Sequence, residues 1–203
     1  MMLSILPEAS EARPLPEWAM SIRDNHKDWM GVAQKGVEAF VAEAMDKKVS
    51  FARETVFSHW RDLGNGKFES KIDDIRRLQN EGYIVLLLFV GLTDSELSIR
   101  RVQYRATNKI TPGHDVPRSK LISRFPRTQE AIKHALAEAD MSILVDNSRT
   151  EAEAFTVCRV QVKLPCAPVK QKVYFDLRQE AQPCPWEIEA WMSKVCPDCL
   201  PKR

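Results

Sequence analysis

The chain has 203 residues, of which 29% are charged and 44% hydrophobic, and its formal net charge is +2. This length predicts one domain with a buried core, with or without an appendage, and the balanced charge gives no bulk reason to expect nucleic-acid binding. No apolar stretch reaches the roughly 20 residues of a membrane span. Residues 1–6 lack the basic leader of a signal peptide, so a cytoplasmic location is expected.

The first part of the chain is expected to alternate helices and strands. Residues 1–24 are rich in proline and acidic residues and should be irregular. A helix is predicted over residues 25–48, a strand over residues 49–57 and a helix over residues 69–81 that ends at Gly82. The first helix should bury one stripe of apolar residues at helical spacing. The stripe consists of Trp29, Ala33, Val37, Phe40, Val41 and Ala44.

The central element is an apolar strand predicted over residues 83–92. It lacks polar alternation, which is typical of a strand covered on both faces in a parallel sheet. Thr93 and Glu96 have the spacing of a capping box, so a helix should begin where this strand ends. Ligands of open α/β sheets bind at that end of the strands. Cations crowd the segments that follow and predict an anion site, such as one for phosphate. They are Arg100, Arg101, Arg105, Arg118, Lys120, Arg124 and Arg127.

The rest of the chain is expected to continue this α/β order. Residues 107–117 should form a loop whose Asp115 caps the next helix, and Pro126 should break that helix, so that residues 128–139 form a separate one. A strand over residues 141–145, a β-hairpin from residues 155–164 and 169–177, and a short helix over residues 185–194 follow. This order predicts a parallel sheet flanked by helices.

All five cysteines lie in the last quarter of the chain. An odd number, without a secretion signal, predicts free thiols in a reducing compartment. Cys196 and Cys199 have the spacing of half a zinc site, but such a site needs four ligands. A thiol-bearing tail is the favoured interpretation.

Five motifs, in order, give the chain a resemblance to a known family. They are Glu-Thr at 54–55, Arg-Val-x-x-Arg at 101–105, Gly-His-Asp-Val-Pro at 113–117, a basic Arg-Phe segment, and a strand ending in Asp-Asn-Ser at 146–148. This set resembles the zeta-toxin family of P-loop small-molecule kinases. The resemblance implies an α/β, P-loop-kinase-like core over residues 25–150 without its N-terminal strands, and a hairpin and cysteine-containing tail over residues 151–203.

The resemblance also implies a site. Arg101 and His114 would stabilise charge on the transferred phosphoryl group, while Glu54 and Thr55 would hold a sugar-nucleotide acceptor such as UDP-N-acetylglucosamine. ATP and Mg²⁺ are the implied cofactors, and an antitoxin-like protein is an implied partner. The implied nucleotide contacts are Arg105, Arg118, Arg124 and Asn147. Each residue also has a simpler interpretation, as a solvated arginine, a surface-loop histidine, or a polar residue at a strand end.

The phosphate-binding motif of P-loop kinases does not occur in this sequence. That motif, Gly-x-x-x-x-Gly-Lys-Ser/Thr, cradles phosphates with backbone amides and holds magnesium with its hydroxyl. The one Gly-Lys pair, Gly66-Lys67, is followed by Phe68, and Arg61 stands where the first glycine belongs. The family's catalytic aspartate is also not found. The alternative to a kinase is therefore a catalytically inactive, truncated remnant that acts as a binding or interaction protein. A nucleic-acid binder built on the arginines is a weaker third hypothesis.

Overall fold

The computed structural model describes Glu17 and residues 26–65, 67–107, 116–163 and 171–197. The chain divides into two compact units, Met1–Glu54 and Thr55–Arg203. The first unit contains helix α1, His26–Asp46, which confirms the first predicted helix. After the helix, Lys48 adopts a left-handed φ of 52°, and the amide of Val49 donates to the carbonyl of Ala44 at 2.9 Å.

The apolar stripe of α1 is only partly buried, which contradicts the expectation of one buried face. Val41 and Ala44 are 5% and 8% exposed, whereas Val37 and Phe40 are 48% and 60% exposed. The Phe40 ring instead meets the ring of Phe51 edge to face, with centroids 6.4 Å apart. The side chain of Trp29 lies outside the described part.

The strand predicted over residues 49–57 is wrong, because this segment is irregular. A strand requires a neighbouring strand for its backbone hydrogen bonds, and none of the described strands pairs with this segment.

The second unit opens with an antiparallel hairpin that the sequence did not predict. Its strands are β1, Trp60–Gly64, and β2, Lys67–Ser70. Helix α2, Ile72–Asn80, follows and buries Ile72 and Ile75. It ends before Gly82, whose φ of 84° suits glycine.

Four of the described strands form the main sheet. They are β3, Leu86–Gly91, β4, Met141–Asp146, β5, Thr156–Lys163, and β6, Gln171–Asp176, in the order β3-β4-β5-β6. The β3–β4 pair is parallel and the other two pairs are antiparallel. The predicted hairpin is therefore confirmed, and it extends the same sheet. The fold is a mixed α/β fold of the P-loop-kinase-like kind.

Besides α2, the described part of the chain has four α-helices beside this sheet: α3, Ser95–Thr107, α4, Arg118–Glu138, α5, Leu177–Glu180, and α6, Trp186–Val195. The short helix predicted near the C-terminus is confirmed as α6. Helix α4 continues through Pro126, so the prediction that Pro126 separates two helices is wrong. Proline removes one helical hydrogen bond, and the buried residues Ile132 and Leu136 anchor the segment that follows it.

The core lies on one face of the sheet. Leu87, Leu144 and Trp191 pack there with Ile132 and Leu136 of α4. On the other face of β3, Leu86 and Leu88 are 52% and 61% exposed. The expectation that β3 is covered on both faces is therefore wrong.

The cysteines are not all free thiols. Cys158 and Cys184 are free, as predicted, but Cys196 is disulfide-bonded. Its partner lies outside the described residues. Among the described helices, none is both long and apolar enough to cross a membrane.

Candidate functional site

The carboxyl ends of β3 and β4 lie side by side at one end of the sheet, because the two strands are parallel. The amide of Asn147 donates to the carbonyl of Gly91 at 3.0 Å and extends the pairing beyond β4. Helix α3 begins four residues after Gly91. Its N-terminus, the positive end of the helix dipole, therefore lies at this end of the sheet.

The cap of α3 differs from the predicted capping box. The Asp94 side chain, one residue after Thr93, accepts from the amide of Leu97 at 2.8 Å. The Thr93 hydroxyl instead donates to the carbonyl of Glu187, at 3.3 Å, in α6. A tertiary hydrogen bond has thus taken the hydroxyl that the local pattern assigned to the helix, and a neighbouring carboxylate serves as the cap.

Asp146, the last residue of β4, is fully buried at this end of the sheet and accepts hydrogen bonds from several neighbours. Its Oδ1 accepts from the indole Nε1 of Trp191 at 2.8 Å and from the Ser148 hydroxyl at 2.7 Å. Its Oδ2 lies 3.4 Å from Nε of Arg149. A buried carboxylate is tolerated when donors and an opposite charge surround it. Asp146 therefore fixes the backbone on both sides of Asn147.

Trp191 closes over the end of β3. A Cβ atom at Gly91 would lie 2.4 Å from the indole ring, so the ring occupies the space of the missing side chain. The Phe89 ring meets the indole edge to face, with centroids 5.8 Å apart. Helix α6 is thereby bound to the same end of the sheet that carries Asn147.

Arg149 also lies at this end of the sheet, and it was not identified as a site residue from the sequence. Its guanidinium donates to Glu153 at 2.7 Å and to the Thr156 hydroxyl at 2.9 Å, in addition to its contact with Asp146. The spacing of four residues between Arg149 and Glu153 is the local signal that could have indicated it. All these contacts hold the segment after Asn147 in place.

The candidate arginines fall into two classes. Arg118 donates to Glu96 at 2.5 Å and joins the start of α4 to α3. Arg105 donates weakly to the carbonyl of Arg101 at 3.4 Å. Arg101 and Arg124 are half-buried, and within the described part of the chain neither guanidinium has an ion pair or side-chain hydrogen bond.

Helices α3 and α4 pack against each other, so Arg101 and Arg124 lie on neighbouring elements. Neither side chain has an anionic partner among the described residues. A bound phosphate would accept charge-assisted hydrogen bonds from such guanidiniums. The described residues hold no group of three or more His, Cys, Asp or Glu side chains suited to a metal ion. The donors present thus fit an anion such as phosphate.

The predicted acceptor residues do not lie at a strand end. Glu54 is the last residue of the first unit and Thr55 the first of the second, and both are exposed in irregular backbone. His114 lies outside the described residues, as does Asp115 with its predicted helix cap.

A second buried polar cluster lies in the C-terminal part of the chain. Asp176 accepts hydrogen bonds from Arg159 and from Arg178, the latter at 2.9 Å, and Arg178 also donates to the carbonyl of Cys196 at 3.2 Å. Burial alone would raise the pKa of Asp176, but the hydrogen bond and charge of Arg178, with the charge of Arg159, hold that pKa below its usual value. The cluster joins β5, β6 and the end of α6. Its residues therefore have a structural role.

Comparison with known proteins identifies one family. The family model described as Zeta toxin matches residues 13–155, which is most of the chain. The matched range contains α1, the β1–β2 hairpin, β3, β4 and the arginine-bearing helices α3 and α4. No curated protein and no solved structure matches the chain.

Proposed function

Since this chain belongs to the zeta toxin family, whose function is of the P-loop kinase-like kind, we propose that it binds ATP and takes part in phosphorylating a hydroxyl of a sugar nucleotide. The observation that carries this proposal is that Arg101 and Arg124, two half-buried residues on neighbouring helices, have no anionic partners among the described residues. A guanidinium matches the geometry of a phosphate, and a nucleotide carries several phosphates.

Each candidate residue has a role in this proposal. Arg101 and Arg124 bind the phosphates, with Arg105 one turn from Arg101 on α3. Asn147 lies near the base, on the strand end that Asp146 fixes. Arg118 acts through its ion pair with Glu96, which links the start of α4 to α3.

The proposal also assigns roles in phosphoryl transfer. Glu54 and Thr55 orient the acceptor, UDP-N-acetylglucosamine, and His114 stabilises charge on the phosphoryl group together with Arg101. Mg²⁺, bound to the nucleotide phosphates, would neutralise part of their charge. An antitoxin-like protein is the partner that the family suggests.

A second candidate function is nucleotide binding without transfer. It is favoured by the sequence around Gly66-Lys67-Phe68, which lacks the hydroxyl and the first glycine of the phosphate-binding loop. Positioning and charge stabilisation account for nearly all of phosphoryl-transfer catalysis. A chain that binds ATP but lacks that loop would act as a binding or interaction protein.

The test is the melting temperature of the full chain with and without ATP, because a ligand that binds the native state stabilises it. ATP at 100 times its Kd should add about 2.7 kcal/mol to the free energy of unfolding. We expect Arg101→Gln and Arg124→Gln to reduce this shift strongly. Arg100→Gln and Arg127→Gln, on the same two helices, are matched controls and should preserve it.

Transfer is measured separately, with ATP labelled at the γ-phosphate and UDP-N-acetylglucosamine as acceptor. Labelled acceptor that disappears with Arg101→Gln supports the kinase. A thermal shift without labelled acceptor supports the binding function. If ATP causes no shift, or if the control variants lose the shift equally, the phosphate role of Arg101 and Arg124 is wrong.

A further inference from the structure

Strand β3 forms an open edge of the main sheet. It pairs with β4 and with no other described strand. The carbonyls of Val85 and Gly91 accept from the amides of Met141 and Asn147, so the backbone groups of the odd-numbered residues of β3 point toward β4. Backbone groups alternate in direction along a strand. The amides and carbonyls of Leu86, Leu88 and Val90 therefore point away from the sheet.

The open edge lacks the features by which proteins protect such edges. Residues 82–92 contain neither a charged residue nor a proline, and Leu86, Leu88 and Val90 are 52%, 61% and 39% exposed. Edge strands are usually protected by lysine, proline, bulges or short length. The opposite edge of the sheet, β6, does have such features. It carries the exposed Lys172, and its pairing with β5 contains a register shift.

We propose that β3 pairs with β3 of a second copy of this chain, antiparallel across a two-fold axis, so that two four-stranded sheets join into one. Outward backbone groups occur on even-numbered residues, so even-numbered residues lie opposite each other. The register that pairs all three outward residues places Leu88 opposite the partner's Leu88, and Leu86 opposite the partner's Val90. Such pairs exchange two backbone hydrogen bonds each.

This register also matches the side chains. Directly opposite residues in a sheet share a face, so the exposed apolar residues of both copies meet on one face. Leu87 and the partner's Phe89 meet on the face that carries the core. The nearest charged residues, Glu81 and Asp94, lie opposite Ser95 and Gly82 of the partner copy, so no like charges face each other. A two-fold pair of identical, uncharged strands is self-complementary.

The first test compares the oligomeric state of the parent with that of a charged variant by sedimentation equilibrium. Leu88→Lys places two ammonium groups opposite each other on the two-fold axis and should weaken association at least about tenfold. Leu63→Lys is the matched control, because Leu63 is a leucine in strand β1 with 54% exposure. It should associate like the parent. Circular dichroism checks that both variants are folded.

The second test follows amide hydrogen exchange at low and high protein concentration. The amides of Leu87 and Phe89 face β4 and should be protected at both concentrations. The amides of Leu88 and Val90 should become protected only when the dimer forms. A parent that stays monomeric, or one that associates without protecting Leu88 and Val90, would overturn the proposal. Association that Leu63→Lys abolishes as fully as Leu88→Lys would also contradict it.

Discussion

Gly91 and Trp191 meet at the end of β3 with no space for an additional atom. Because a Cβ atom at Gly91 would lie 2.4 Å from the indole ring, Gly91→Ala must displace the ring or bend the strand. The ring cannot move freely, since it is 1% exposed and its Nε1 donates to Asp146. We expect Gly91→Ala to lower the free energy of unfolding by about 1–3 kcal/mol, measured by urea titration.

The control for this substitution is Gly31→Ala in α1. Nothing lies within 4 Å of a Cβ at Gly31, and alanine favours a helix over glycine by about 1 kcal/mol. The variant should therefore be as stable as the parent or more stable. If the two alanine variants have the same stability, contact between Gly91 and Trp191 is not what excludes a side chain there.

An ion pair joins helices α2 and α4. Nη2 of Arg76 lies 2.7 Å from Oε1 of Glu138. The hydrogen bond from Arg76 holds the pKa of Glu138 below its usual value, against the effect of desolvation. A carboxylate whose pKa is lowered on folding stabilises the native state above its unfolded pKa. That contribution decreases as the pH falls below the reference value of 4.5 and through the folded value.

We expect Glu138→Gln to lower the free energy of unfolding by about 0.5 kcal/mol at pH 7, because half-exposed ion pairs contribute little. The difference from the parent should shrink as the pH falls below 4.5. Urea titrations between pH 7 and pH 3 measure it, and a double-mutant cycle with Arg76→Gln isolates the pair. A difference that stays constant over this range would show that Glu138 acts through packing.

Elements with strong local patterns could be predicted from the sequence. Helices α1, α2 and α6, strand β4 and the β5–β6 hairpin follow from periodicity and turn residues alone. The errors arose where distant residues decide the structure. The segment over residues 49–57 has no strand to pair with, and α4 continues through Pro126 because its second half is buried. Whether β3 is covered on one face or two also depends on neighbours that its own sequence does not specify.

The candidate site was predictable in the same limited sense. The position of the arginines after β3 follows from the order of the motifs. Which arginines are paired does not, because Glu96 and Arg118 are 22 residues apart and only folding brings them together. The contact between Trp191 and Asp146 spans 45 residues. The Thr93 hydroxyl likewise does not cap the helix as predicted, because it donates to a carbonyl 94 residues away.

At the scale of the whole molecule, Cys158 links stability to alkaline pH. Desolvation, followed by the nearby charge of Asp146, raises the pKa of this thiol from 9.0 to about 12. The native state thus holds the proton more tightly than the unfolded chain does. The stabilisation is fully present below pH 9 and is lost as the pH rises from 9 toward 12.

We therefore expect the parent to lose stability above pH 9 relative to Cys158→Ala, by about 1 kcal/mol per pH unit. The variant leaves a small cavity, but the cost of that cavity is independent of pH and shifts its whole curve. Urea unfolding at pH 7, 8, 9 and 10 under argon measures the difference. If the curves of parent and variant stay parallel from pH 7 to pH 10, the native fold does not keep Cys158 from ionising. If they diverge only above pH 9, Cys158 is protonated in the folded protein and its ionisation accompanies the opening of the core.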